Sequence, residues 1–101
     1  QAISKNNIIK ISEGMILSNE PGFYKKGHFG IRIENLIYVK KIKNNLFFKN
    51  LTMAPLEKDL INYKLLTENE MDYLFRYHLN LYNQYSKFLN LKERKWLASL
   101  I

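Results

Sequence analysis

Two glutamates, Glu20 and Glu34, stand in runs that are otherwise apolar and strand-like, Met15-Ile16-Leu17-Ser18-Asn19-Glu20 and Gly30-Ile31-Arg32-Ile33-Glu34-Asn35. A carboxylate inside a sheet is expensive to desolvate and is tolerated when it is paired, hydrogen-bonded or bound to a metal. Two at the closed end of one hairpin therefore suggest a site rather than a surface, although two acids alone complete neither a metal site nor an enzyme. Arg32 lies two residues before Glu34, so on an extended strand it shares that face and can orient site carboxylates. The same residues admit a plainer reading, in which Glu34 pairs with Arg32 or with a lysine across the sheet and Glu20 faces water at a strand end. On residue pattern alone both readings stay open.

The elements that must position these side chains are short. Residues 8–11 and 15–20 read as strands separated by the turn signal Glu13-Gly14. Pro21 removes a backbone donor and Gly22 permits positive φ, so Pro21-Gly22 is expected to turn the chain just after Glu20. Residues 23–30 read as a loop and 31–42 as one central strand, with Ile31, Ile33, Asn35, Ile37 and Val39 on one face and Arg32, Glu34, Leu36 and Tyr38 on the other. Residues 46–53 form a further candidate strand. The period then changes: Thr67-Glu68-Asn69-Glu70 has the form of a capping box, and Met71, Leu74, Phe75, His78, Tyr82, Tyr85 and Leu89 recur at helical spacing. That stripe predicts a helix of about six turns at 3.6 residues per turn. Asn90 with Glu93 suggests a second cap, leading into a short final helix with Trp96, Leu97, Leu100 and Ile101 as its apolar face. The class expected is α+β, short antiparallel strands and a hairpin over residues 1–55 followed by a helical extension over 56–101.

At 101 residues the chain amounts to at most one small domain. It begins with Gln1, and its first apolar run has no upstream strand to pair with, so it is read as the C-terminal piece of a longer protein. A net charge of +7 would permit nucleic-acid binding, but the lysines are scattered, with Lys40-Lys41-Ile42-Lys43 the one run, and the aromatics sit at core spacing. Neither a nucleic-acid nor a membrane partner is expected, since no apolar run is long enough to span a bilayer. The absence of cysteine excludes disulfides and thiolate metal sites and is compatible with a reducing compartment. Of the two histidines, His28 reads as a solvent-facing loop residue, and His78 as a partly buried helix residue with one hydrogen-bond partner.

The pattern Ser18-Asn19-Glu20-Pro21-Gly22-Phe23-Tyr24, followed by Gly30-Ile31-Arg32-Ile33-Glu34-Asn35, closely resembles the end of the catalytic domain of the aminopeptidase P (Xaa-Pro aminopeptidase) family of pita-bread metallopeptidases. Gln1-Ala2-Ile3-Ser4, Leu51-Thr52-Met53-Ala54-Pro55-Leu56, Leu65-Leu66-Thr67 and Tyr77-His78 extend the resemblance over nearly the whole chain. It implies the C-terminal part of a pita-bread fold and a site of two aspartates, one histidine and two glutamates around two divalent ions. Glu20 matches the glutamate that binds one metal and lies near the attacking water, and Glu34 the one that bridges both. Arg32 matches an arginine that supports these ligands. Manganese is the first expectation, with cobalt or zinc as alternatives, and the implied substrates are peptides with proline at the second position, in the cytoplasm.

The remaining ligands of that pattern would precede Gln1, so the chain alone is expected to be inactive. The alternatives are an interaction module completing a separately encoded N-terminal part, or a remnant of a decaying gene. A homodimer through the helical extension is a further expectation.

Overall fold

Residues 7–101 are described by a computed structural model, in which the chain forms two compact units that meet between Met53 and Ala54. The match at Gln1-Ala2-Ile3-Ser4 lies outside the described residues.

Among the described residues, the first unit carries five antiparallel strands: β1 (Ile16–Asn19), β2 (Gly22–Lys25), β3 (Phe29–Arg32), β4 (Asn35–Ile42) and β5 (Asn45–Asn50). They form a three-stranded sheet in the order β1-β4-β5 and a separate β2-β3 hairpin. Leu17 faces Ile37 across the first sheet, and these two with Val39 form its small core, against which Met15 packs. The alternation along β4, with Asn35, Ile37 and Val39 buried and Leu36 and Lys40 exposed, is the period-two pattern of a strand with one covered face. Fully burying each such side chain contributes about 1.5–3 kcal/mol, so three give a modest core.

The two sheets share one register. Asn19 faces Asn35 at the end of one ladder, and Gly22 faces Arg32 at the start of the other. β1 and β2 together thus run alongside β3 and β4 as a single two-stranded ribbon, interrupted where Glu20-Pro21 passes Ile33-Glu34. Pro21 has no N–H to give to the ladder. Its carbonyl still accepts from the Ile33 N–H at 3.1 Å, which keeps the register across the break.

Several expectations change here. Residues 31–42 are two strands rather than one, because the interruption comes from the proline on the neighbouring strand. Residues 23–30 are not a loop but most of the β2-β3 hairpin, closed by Lys26-Gly27-His28 with Gly27 at φ +76° and the His28 N–H donating to the Lys25 carbonyl. Gly22 stays outside the left-handed region. Its requirement is space: a Cβ at Gly22 or Gly30 would come within 2.7 and 2.6 Å of the Tyr24 side chain. Residues 8–11 form no strand and are exposed. The ladder beyond β1 is continued instead by Gly14 and Met15, through Gly14 N–H to the Val39 carbonyl and Val39 N–H to the Met15 carbonyl. β5 ends at Asn50, after which Leu51 N–H binds the Leu36 carbonyl and Thr52 Oγ1 accepts from the Leu36 N–H, both at 2.8 Å.

The second unit begins with a connector carrying two single-turn 3-10 helices, Lys58–Leu60 and Tyr63–Leu65, capped by the side chains of Glu57 and Asn62. Helix α1 (Glu68–Tyr85) starts at the expected capping box: Glu70 N–H donates to Thr67 Oγ1, and the Thr67 N–H donates back to Glu70 at 2.8 Å. Donation from the Thr67 backbone, then from its hydroxyl, holds the Glu70 carboxyl below the usual carboxylate range. The helix stops at Tyr85, short of Leu89, and passes through a 3-10 turn at Ser86–Phe88. Helix α2 (Leu91–Leu100) opens on the second expected box, Asn90 with Glu93.

The buried face of α1 is Leu74, Tyr77, His78 and Leu81, rotated from the stripe read in the sequence, which had Met71 and Phe75. The cause is the connector, which is bound to the Tyr77-His78 side. The Tyr77 hydroxyl donates to the Ala54 carbonyl at 2.7 Å and the Leu56 N–H donates to His78 Nε2 at 3.1 Å. On α2, Leu97 is buried, whereas Trp96 points outward and is 62% exposed.

Candidate metal centre

The shared register leaves Glu20 and Pro21 of one strand opposite Glu34 and Ile33 of the other. Because Pro21 and Ile33 are the hydrogen-bonded pair, Glu20 and Glu34 occupy a pair of the other type, in which facing Cα atoms are about 4.5 Å apart and side chains are closest. Alternation then places Ser18, Glu20, Gly22 and Tyr24 on one face together with Gly30, Arg32 and Glu34. The two acids come from the two points where the ribbon passes from one sheet to the other, a position fixed by Pro21.

Two carboxylates facing each other repel, and like charges directly opposite in a sheet are destabilising. Arg32 offsets this from the same face. Its Nη2 lies 3.2 Å from Glu34 Oε2 and its Nη1 lies 4.0 Å from Glu20 Oε2. A hydrogen bond with the Tyr24 side chain, followed by the charge of Glu34, pushes the Arg32 pKa up. The Tyr24 ring lies over Gly22 and Gly30, where a Cβ would collide with it. On the far side, the Ser18 hydroxyl donates to Glu20 Oε1 at 2.6 Å.

The carboxylates are not buried, in contrast to the expectation from their apolar flanks. The Glu20 and Glu34 side chains are 40% and 43% exposed. The apolar residues Pro21, Ile31 and Ile33 beside them in sequence point to the opposite face, an alternation that says nothing about what covers the acidic one. The Arg32–Glu34 pairing of the plainer reading is present. It engages Oε2 of Glu34, while the same guanidinium stands 4.0 Å from Glu20 Oε2.

The donor set fits part of a hard-metal site. Two anionic oxygen groups on one face suit manganese, cobalt or zinc in an oxygen-rich environment, and no group of three or more His, Cys, Asp or Glu able to hold a metal occurs among the described residues. His28 sits in the hairpin turn beyond Phe29, which is five strand residues from Glu34 and so roughly 17 Å away at about 3.3 Å per residue. His78 belongs to the helical unit and is occupied by the Leu56 N–H. An open apolar groove there, lined by Tyr63, Met71, Phe75, His78 and Tyr82 among others, has no carboxylate or cationic side chain in its wall. Ser18 and Tyr24 were missed as contributors to the site. Their signal was the period-two spacing from Glu20, with Tyr24 flanked by glycines it could cover.

Comparison with known proteins agrees along nearly the whole chain. Residues 1–41 match the metallopeptidase family M24, and residues 44–100 match the C-terminal region of peptidase M24. A probable Xaa-Pro aminopeptidase P of Laccaria bicolor is 40% identical over 105 residues, covering 94% of this chain and 16% of that protein. An uncharacterized peptidase of Schizosaccharomyces pombe is 39% identical over 91% of this chain and 17% of its own length. The solved structure of an X-prolyl aminopeptidase from Caenorhabditis elegans, described as a cytosolic enzyme with a di-nuclear active site, superposes with a TM-score of 0.75 at 32% identity, over 89% of this chain and 16% of that one. The chain thus spans about one sixth of the length of these relatives.

Proposed function

Since the chain belongs to the M24 metallopeptidases, we propose that its ribbon supplies two metal-binding carboxylates to an Xaa-Pro aminopeptidase-like enzyme, one that removes an N-terminal residue preceding proline. The observation that carries this reading is the placement of Glu20 and Glu34 opposite one another on one face, with Arg32 beside both. Glu34 would hold both metal ions and Glu20 one of them, near the water that the pair would activate. Arg32 limits the repulsion between the two acids and holds Glu34 in place. When bound, a pair of divalent ions lowers the pKa of water and polarises the scissile carbonyl. Manganese is the metal we assign, and the cytoplasm the location, in line with the cytosolic worm relative.

Two carboxylates are an incomplete ligand set, so the chain by itself is assigned no peptidase activity. The rest of the site would come from a preceding catalytic region. The exposed edge strand β5, with Leu46, Phe47 and Phe48 each about half exposed, is a surface that such a region could cover, whether in the same polypeptide or a separate one. The test is a hybrid in which this chain replaces the matching part of the worm X-prolyl aminopeptidase. The hybrid should bind two manganese ions and cleave Xaa-Pro peptides, and Glu20→Gln or Glu34→Gln should abolish cleavage, Glu20→Gln with the loss of one ion. A folded hybrid in which both substitutions leave metal content and cleavage unchanged would refute the assignment.

A further inference from the structure

We propose that Ser18 is the positioning residue for Glu20, and that its hydroxyl sets how tightly the metal ion assigned to Glu20 is held. This rests on the ligand reading above.

The two glutamates are held by different means. Glu34 has a direct ion pair with Arg32 at 3.2 Å, whereas the same guanidinium stands 4.0 Å from Glu20, beyond hydrogen-bond reach. Glu20 is also the first residue past the end of β1, and Pro21 after it cannot donate to the ladder. Its side chain has three rotatable bonds and 40% exposure, so neither the backbone nor packing fixes the carboxylate.

What fixes it is the Ser18 hydroxyl at 2.6 Å from Oε1, the length of a charge-assisted O–H···O⁻ hydrogen bond. Ser18 is itself held in the ladder opposite Leu36 and is half-buried, so the donor stands on the firm part of the strand. Two residues separate it from Glu20, which puts both side chains on one face. A hydroxyl has a single proton to give. Donation to Oε1 fixes the rotation of the carboxylate and leaves Oε2 turned toward Arg32 and Glu34. Groups that orient a metal ligand from behind typically change metal affinity ten- to a hundredfold when removed.

The test uses the hybrid enzyme with manganese alone as the probe, titrated calorimetrically and followed by the electron-spin signal of the coupled ion pair. Ser18→Ala should weaken one of the two ions by about ten- to a hundredfold while the other is retained. Ser18→Thr, which keeps the hydroxyl and suits a strand, should restore both. A merely structural role would move the melting temperature of Ser18→Ala without separating the two ions. If Ser18→Ala binds both ions as tightly as the parent while Glu20→Gln loses one, the Ser18 inference fails and the ligand reading stands. If Glu20→Gln binds both ions normally, the ligand reading fails and takes this inference with it.

Discussion

The two units of this chain resolve the problem of polar groups in opposite ways. In the helical unit almost every local demand is met from within: both helices begin on reciprocal capping boxes, and adjacent residues Tyr77 and His78 satisfy the connector at Ala54 and Leu56. In the ribbon unit, Pro21 breaks the ladder and two acids are left facing each other, half exposed, at the break. Like charges at closest approach cost stability, and an exposed pair with Arg32 returns only about 0–1 kcal/mol. The difference separates a part arranged for its own stability from a part that, on the proposed ligand reading, is arranged to meet a cation. Its consequences differ accordingly, since loss at the ribbon face should fall on metal and catalysis and loss in the helical unit on folding.

The largest expected effect is therefore functional. In the hybrid enzyme, Glu34→Gln should lower Xaa-Pro cleavage by at least about a hundredfold, since removal even of a group behind a ligand costs ten- to a hundredfold in affinity. Its far-UV circular dichroism and its melting temperature in the metal-free form should match the parent, and a fall in that metal-free melting temperature would erase the contrast. Next comes Leu81→Ala. Leu81 is fully buried, and its truncation should destabilise by about 2–5 kcal/mol in urea unfolding. Leu17→Ala in the smaller core of the ribbon should fall at the low end of that range. The comparison is sharpened if the two differ in this order and weakened if Leu17→Ala costs more.

Acid should act on the helical unit through His78. Burial holds its pKa below the ordinary value of 6.5, so the folded state keeps the ring neutral where the unfolded chain takes up a proton. Stability is thus full above the unfolded value and falls as pH drops below it, until the folded value is passed. The Leu56 N–H would then face a second donor. Melting temperatures measured from pH 7.5 down to about 5 should decline in the parent, and the decline should flatten in His78→Gln, which retains an acceptor but does not titrate. The smallest effect is at the cap: Thr67→Ala should cost about 1 kcal/mol, read from urea unfolding, with no change in metal content of the hybrid.

The features legible in the sequence were those decided by neighbours in the chain. Thr67 with Glu70 and Asn90 with Glu93 announce their helix starts because each box closes within four residues. The central position of β4 followed from apolar side chains on both of its faces. The hairpin of β2 and β3 was hidden behind Lys25-Lys26-Gly27-His28, whose polar character masked the pairing of Phe23 with Ile31. The split between β3 and β4 could not be read from residues 31–42 at all, because its cause, Pro21, sits on the partner strand. Periodicity likewise picked the stripe through Met71 and Phe75, whereas the connector at Ala54 and Leu56 selects the adjacent one through Tyr77 and His78. At the site, the residue types and motif of Glu20, Glu34 and Arg32 were visible. Their exposure and the Ser18 contact depend on register and on the path of the side chains.

The central claim is that Glu20 and Glu34 ligate a shared pair of metal ions. Anomalous diffraction from manganese-soaked crystals of the hybrid enzyme tests it most directly. The account predicts two peaks, one within coordination distance of both Glu20 and Glu34 and the other contacting Glu34. Two well-occupied peaks with the Glu20 and Glu34 carboxylates turned away, still paired only with Ser18 and Arg32, would contradict it.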